Sequence, residues 1–141
     1  MSYTAALAQL NAMAPELFNK PGQARRKFSL DQVHTLLGAL GDPQAKFPSV
    51  LIAGTNGKGS TAATLASILS ESGLRTGLYT SPHLERVNER IRIGQSQISD
   101  DDFARLFFRV DDAARNLVAA GLLPQFPSFF EFLTAEAFLL R

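Results

Sequence analysis

The sequence contains no cysteine among its 141 residues, so it has neither disulfides nor thiolate metal ligands. This absence is neutral about the cellular compartment. An excess of one charge is also lacking, because 14 lysine and arginine residues nearly balance 13 aspartate and glutamate residues and leave a net charge of +1. A chain so close to neutral has no general attraction to nucleic acid or to an acidic membrane surface, and neither partner is expected.

Long hydrophobic runs and a leader sequence are not expected either. No apolar stretch reaches membrane-spanning length. The stretch from Met1 to Ala14 lacks a basic start and carries the polar residues Gln9 and Asn11, unlike a signal peptide. The composition is globular, with 45% hydrophobic and 19% charged residues. These features predict a cytoplasmic protein with a hydrophobic core.

The most informative feature is a glycine-rich run between the apolar residues Val50–Ala53 and the amphipathic stretch Ala62–Ser72. The run consists of Gly54, Thr55, Asn56, Gly57, Lys58, Gly59, Ser60 and Thr61. This strand–loop–helix order is typical of loops that bind phosphate, because glycines let backbone amides approach an anion at the electropositive start of a helix. Lys58 adds a charge for the outer phosphates, and a hydroxyl of Ser60 or Thr61 adds a ligand for phosphate or Mg²⁺. The run therefore predicts binding of a nucleoside triphosphate.

The run departs from the general phosphate-loop pattern in an informative way. Ile52 stands where the first glycine of that pattern would lie, and Gly59 replaces the usual hydroxyl residue after the lysine. This tightened variant argues against ordinary GTPases and ATPase motors. A glycine turn that binds nothing is the less favoured interpretation.

Hydrophobic periodicity, caps and breakers predict an α/β fold. Helices are expected at Tyr3–Ala14, from the N-cap Ser29 to Leu40, at Thr61–Ser72, from Ser99 to Gly121 and at Ser128–Arg141. Val50–Ala53 and Thr76–Thr80 are expected to be parallel strands of one βαβ unit, which would place Gly54 and Ser81 side by side. Residues around Gly94 predict a hairpin or edge strand.

Two parts of the chain are expected to belong to different structural units. Residues 1–48 predict a helical segment that packs on an ATPase domain, and residues 49–141 the first part of an ATP-binding central domain. Only two parallel strands are evident, and the helix from Ser128 is apolar nearly all round. We therefore expect the amino-terminal portion of a longer enzyme.

Three further features are candidates for the phosphate site. Ser81 offers a hydroxyl to Mg²⁺, although a turn residue before a proline is the simpler explanation for it alone. Glu131 is equally well explained as a Mg²⁺ ligand or as the acid of an S-x-x-E capping box with Ser128. The third feature is a group of arginines that follow the second predicted strand, Arg86, Arg90 and Arg92. They could hold a carboxylate or phosphate, or they could form a solvated edge.

Four segments together resemble the folylpolyglutamate synthase/dihydrofolate synthase family of the Mur ligase superfamily. They are the glycine run 54–60, Tyr79-Thr80-Ser81-Pro82-His83-Leu84, Asn88-Glu89-Arg90-Ile91 and Phe129-Phe130-Glu131. The similarity covers nearly the whole chain. The glycine run indicates the superfamily, and the second and third segments point to its folate branch. The resemblance implies a Mur-ligase-like central domain with a mainly parallel sheet.

The resemblance also implies an ATP-dependent ligase that joins L-glutamate to a carboxylate of folate or dihydropteroate through an acyl phosphate. In that family the positions matching residues 54–61 bind ATP, with Lys58 on the outer phosphates, and those matching Ser81 and Glu131 bind Mg²⁺. The loop matching Pro82 to Arg90 lies near the folate, with Pro82, His83 and Arg90 as the implied substrate ligands.

The family also uses a downstream histidine, a carbamylated lysine and a carboxy-terminal domain, which these 141 residues lack. The chain is therefore expected to be inactive alone, and the full-length enzyme to be a monomer. A ligase of cell-wall precursors and a non-catalytic nucleotide-binding module are the alternative functions. The choice between folate and dihydropteroate is left open by the sequence.

Overall fold

The computed structural model describes residues 1–13 and 30–140, which form helices around a small sheet. The helices are α1 (Tyr3–Met13), α2 (Leu30–Ala39), α3 (Lys58–Glu71), α4 (Asp100–Ala119) and α5 (Phe129–Leu139). The strands are β1 (Gly77–Tyr79), β2 (Ile91–Ile93) and β3 (Ser96–Gln97), and the 3₁₀ turns are Pro43–Lys46 and Val87–Arg90.

The predicted helices are confirmed with small shifts at their ends. Helix α3 begins at Lys58, inside the glycine run, rather than at Thr61. Ser99 caps α4 as expected, because its hydroxyl accepts a hydrogen bond of 3.1 Å from the amide of Asp102. Three predicted positions lie outside the described residues: the helix end Ala14, the cap Ser29 and the final residue Arg141.

The predicted parallel strand pair is wrong for the residues described. Val50–Ala53 is not a strand, and the side chains of Val50 and Leu51 are 70% and 92% exposed. Strand β1 instead pairs antiparallel with β2, and β2 pairs antiparallel with β3 in the hairpin expected around Gly94. A buried parallel strand requires neighbouring strands and covering helices, and an apolar run alone supplies neither. The α/β composition of the fold is confirmed, whereas a mainly parallel sheet is not shown.

The hydrophobic core lies between α4 and α5 and is covered by α1 and α2. Phe103 and Phe107 of α4 and Phe132 of α5 are fully buried, and the ring centroids of Phe107 and Phe132 lie 4.8 Å apart. The strongly apolar helix predicted from Ser128 onward is therefore explained within the described part of the chain, where α5 is buried on most sides.

Helix α3 differs from the others because none of its residues is buried. It adjoins β1, and its first turn carries the glycine run to the surface. None of the helices in the described ranges combines the length and apolar character that a bilayer crossing requires. The start of α3 is therefore a surface feature, and the end of β1 separately contacts the start of α5.

Candidate functional site

The glycine run forms an open turn that leads into α3. Gly57 is the N-cap of α3 with φ 73°, and Gly54 has φ 155°, backbone conformations that side-chain-bearing residues rarely adopt. No side chain caps the helix start at Gly57, and all residues of the run are exposed. The first amides of α3 are therefore accessible to an anion, as the sequence predicts.

Lys58 lies folded over its own loop. Its ammonium nitrogen Nζ donates to the carbonyl oxygens of Gly54 at 2.6 Å and of Thr55 at 3.4 Å. The hydroxyl of Thr61 donates back to the carbonyl of Gly57 at 2.9 Å. The lysine ammonium is thus held over the glycine run that precedes α3.

The end of β1 lies against the start of α5. The ring of Tyr79 is 6.2 Å from that of Phe130, and the Thr134 hydroxyl donates to the Tyr79 hydroxyl at 3.4 Å. Burial raises the pKa of Tyr79. Ser81 is two residues beyond Tyr79 and exposed, and Glu131 directly follows Phe130. The contact thus joins the end of β1, two residues before Ser81, to the residue that precedes Glu131.

Glu131 occupies the capping box that the sequence allowed. Its Oε2 accepts from the Ser128 amide at 2.8 Å, and its own amide donates to the Ser128 hydroxyl at 3.3 Å. The residue is only 8% exposed. A carboxylate and a serine hydroxyl are hard oxygen donors of the type that Mg²⁺ takes together with water and phosphate oxygens, so the residues present fit this ion. No group of three histidine, cysteine or acidic side chains suited to a metal occurs among the described residues.

Two predicted substrate ligands form a direct pair. Nε of Arg90 donates to Nδ1 of His83 at 2.7 Å, and the guanidinium carbon of Arg90 lies 5.3 Å from the centroid of the Phe129 ring. Burial lowers the pKa of Arg90, and burial together with the nearby Arg90 charge lowers the pKa of His83. Pro82 is exposed beside them after a cis peptide bond with Ser81. The His83–Arg90 pair therefore lies next to the start of α5, and within it Arg90 is only 7% exposed.

The other arginines do not join this pair. Arg86 forms an ion pair of 2.6 Å with Asp100, and its guanidinium carbon lies 5.4 Å from the ring centroid of Tyr3. Arg92 lies within β2, opposite Leu78 and Gln97. The parallel pairing that would set Gly54 beside Ser81 is also missing from the described residues. Of the three arginines, Arg90 is the one placed with other candidate site residues.

Sequence reasoning missed the roles of Asn88 and Glu89. Asn88 is 1% exposed and links three elements, because it bonds the Tyr3 hydroxyl, the Ile98 carbonyl and the Asp100 carboxylate. The Glu89 carboxylate accepts from three successive backbone amides. The signal for Glu89 was its position three residues after Arg86, the spacing of a capping box, but no serine or threonine stands at the N-cap to mark it.

Comparisons with known proteins agree with the resemblance in the sequence. No protein-family model matches the chain. A folylpolyglutamate synthase of Saccharomyces cerevisiae (strain YJM789) is 36% identical over an alignment of 154 positions, which covers 97% of this chain and 28% of the yeast protein. The chain therefore spans less than a third of the length of this relative.

Solved structures give the same result. Folylpolyglutamate synthetase from Lactobacillus casei matches with a TM-score of 0.83 and 36% identity, over 98% of this chain and 32% of that one. A bifunctional folylpolyglutamate synthase/dihydrofolate synthase, solved with Mn, AMPPNP and L-glutamate bound, matches with a TM-score of 0.77 and 30% identity over 99% of this chain and 30% of that one. In sequence and in fold, the chain is therefore similar to folylpolyglutamate synthases over about a third of their length.

Proposed function

We propose that this chain supplies the phosphate-binding and magnesium-binding part of an ATP-dependent ligase that joins L-glutamate to a carboxylate of folate. The observation that carries the proposal is the exposed glycine turn at the uncapped start of α3, in a chain whose relatives are folylpolyglutamate synthases. The ATP analogue, manganese and L-glutamate bound by the bifunctional relative support the same nucleotide, a divalent cation and the same amino acid here.

The first chemical requirement is to bring two anions together. The folate carboxylate attacks the terminal phosphorus of ATP, which forms an acyl phosphate and releases ADP. The amides at the start of α3 and the ammonium of Lys58 bind the phosphates and reduce this repulsion. Lys58 is bonded to the carbonyls of Gly54 and Thr55, and we propose that it exchanges these bonds for phosphate oxygens when nucleotide binds.

Ser81 and Glu131 are the residues proposed to hold Mg²⁺, which when bound screens charge on the transferring phosphoryl oxygens. Glu131 keeps its bond to the Ser128 amide in this role, because a carboxylate has lone pairs for several partners. In the second step the glutamate amine attacks the acyl phosphate, a tetrahedral intermediate forms, and phosphate leaves with the amide bond made.

We further propose that Pro82, His83 and Arg90 contact the folate. The Arg90 guanidinium lies near the Phe129 ring and keeps its charge at any physiological pH, which suits it to an anionic substrate. The division of the chain into a helical segment, 1–48, and the start of an ATP-binding domain, 49–141, remains part of this proposal. It is supported by the packing of α1 and α2 onto α4 and α5.

Two experiments test the proposal. In the first, calorimetric titration of Mg·ATP into the chain compares wild type with Lys58→Ala, and with Lys46→Ala as an exposed lysine control. Loss of a charge-assisted contact is expected to weaken ATP binding by roughly tenfold or more in Lys58→Ala only. Equal affinity in all three proteins contradicts the phosphate site.

The second experiment replaces the corresponding segment of a folylpolyglutamate synthase with this chain and measures phosphate release. Release is expected to require both folate and glutamate. Replacing folate with dihydropteroate or with a UDP-sugar peptide then identifies the acceptor class. ATP turnover that ignores folate and dihydropteroate removes the folate assignment, and turnover with the UDP-sugar peptide reverses it in favour of a cell-wall ligase.

A further inference from the structure

The segment from His83 to Arg90 is closed by its own hydrogen bonds. One Glu89 oxygen, Oε2, accepts from the Leu84 amide at 2.9 Å, and the other, Oε1, accepts from the amides of Glu85 at 2.9 Å and Arg86 at 2.7 Å. Three successive amides around one carboxylate form an anion-binding turn within the chain. The occupant of this turn is part of the protein, so it is filled before any ligand arrives.

The charge of Glu89 is matched to these donors. The three amide hydrogen bonds favour the ionised carboxylate and lower the pKa of Glu89 to about 2. A neutral glutamine does not reproduce the arrangement, because it has a single acceptor oxygen where the carboxylate uses two. The geometry therefore depends on the negative charge and on both oxygens.

Glu89 is itself held in place from both sides along the chain. The preceding residue, Asn88, is buried and bonded to α1 through Tyr3 and to the Ile98 carbonyl. The following residue, Arg90, is bonded to His83. Because its neighbours are anchored, the Glu89 carboxylate fixes the backbone of Leu84–Arg86 relative to the core, and His83 directly precedes that stretch.

We infer that Glu89 is a positioning residue that holds the segment His83–Arg90 in the shape that receives the substrate. The inference deepens the proposed function and rests on it for the identity of the substrate as a folate. Glu89 touches backbone amides of its own segment, so it acts through the placement of His83 and Arg90. Such preorganisation spares the bound complex the cost of ordering the loop.

The first test needs no substrate and follows backbone amides of the 141-residue chain by NMR. In wild type, the amide signals of Leu84, Glu85 and Arg86 are expected to shift together when a single carboxylate is protonated. In Glu89→Gln these amides are expected to exchange with solvent about tenfold faster, whereas Glu71→Gln, a change at an exposed acid on α3, leaves them unaffected. Amides that titrate separately, or that exchange at wild-type rates in Glu89→Gln, overturn the inference.

The second test uses the same two substitutions in the chimeric ligase. Glu89→Gln is expected to raise the KM for folate by about tenfold and to leave the KM for ATP unchanged, which a general loss of structure would not do. Altered exchange without any change in the KM for folate overturns the positioning role. If the unsubstituted chimera ignores folate, the proposed function fails, while the NMR experiment still decides whether Glu89 orders the segment.

Discussion

Removal of the Asn88 side chain is expected to destabilise the fold by about 3 kcal/mol, from three lost hydrogen bonds of about 1 kcal/mol each. Asn88 is 1% exposed, its Nδ2 donates to the Ile98 carbonyl at 2.9 Å and to Asp100 Oδ1 at 3.1 Å, and its Oδ1 accepts from the Tyr3 hydroxyl. Asn88→Ala also leaves the Ile98 carbonyl without this donor, which adds to the cost. Urea unfolding followed by circular dichroism measures the change.

A double-mutant cycle makes this prediction specific. Tyr3→Phe removes only the hydroxyl and is expected to cost about 1 kcal/mol in the wild-type background. In the Asn88→Ala background the same change is expected to cost less, because the hydroxyl then has only its bond to Arg86 to lose, and the coupling energy is up to about 1 kcal/mol. Strictly additive effects, or an Asn88→Ala protein as stable as wild type, refute the role of Asn88 as the link between α1, the hairpin and α4.

Three further predictions concern the core and its buried or bonded acids. Phe132→Ala is expected to lower the unfolding free energy by about 3–5 kcal/mol, and Phe130→Ala, at a side chain that is 51% exposed, by much less, so equal urea midpoints contradict the packing described. Glu136 is fully buried, neither of its carboxylate oxygens has a hydrogen-bond partner in the described structure, and burial raises its pKa. The free energy of unfolding is therefore expected to fall as pH rises above the ordinary carboxyl range. Glu136→Leu is expected to remove this pH dependence and to raise the free energy of unfolding, measured in urea titrations, by about 1–3 kcal/mol. A Glu136→Leu protein that is less stable than wild type argues against a buried carboxyl group without a partner. The pKa of Glu89 is instead lowered, from 4.5 to about 2, so the pH dependence has the opposite sign. The contribution of Glu89 to the free energy of unfolding is present above pH 4.5 and is lost as pH falls toward 2. If Glu89→Gln and wild type unfold in the same way as pH falls over that range, the stabilising contribution of Glu89 is contradicted.

Local features of the fold were predictable because they depend on neighbours in sequence. The glycine turn into α3, the Ser99 cap and the capping box of Ser128 with Glu131 each involve residues within a few positions of one another. Each of them concerns unpaired backbone groups at the start of a helix, and the residues involved lie close by in the sequence. The periodicity of α4 likewise predicted the helix that carries Phe103 and Phe107 into the core.

Long-range features were not predictable in the same way. The run Val50–Ala53 has the composition of a buried strand, yet strand formation depends on a partner that the run does not encode. Arg86 and Arg90 look alike in the sequence, but one pairs with Asp100 across 14 positions and the other with His83. The folding of the hairpin and α4 around the segment decides these partners. The residue pattern alone therefore left Arg86 and Arg90 as candidates beside Arg92, and the family resemblance singled out Arg90.

The most direct test of the phosphate site is an NMR titration of the chain with Mg²⁺ and a non-hydrolysable ATP analogue. The largest amide shift changes are expected at residues 57–60, where α3 begins with accessible amides beside the Lys58 ammonium. Smaller changes are expected at Ser81 and Glu131 only when Mg²⁺ is present. Shift changes that avoid the start of α3, or no change at saturating nucleotide, contradict the central claim.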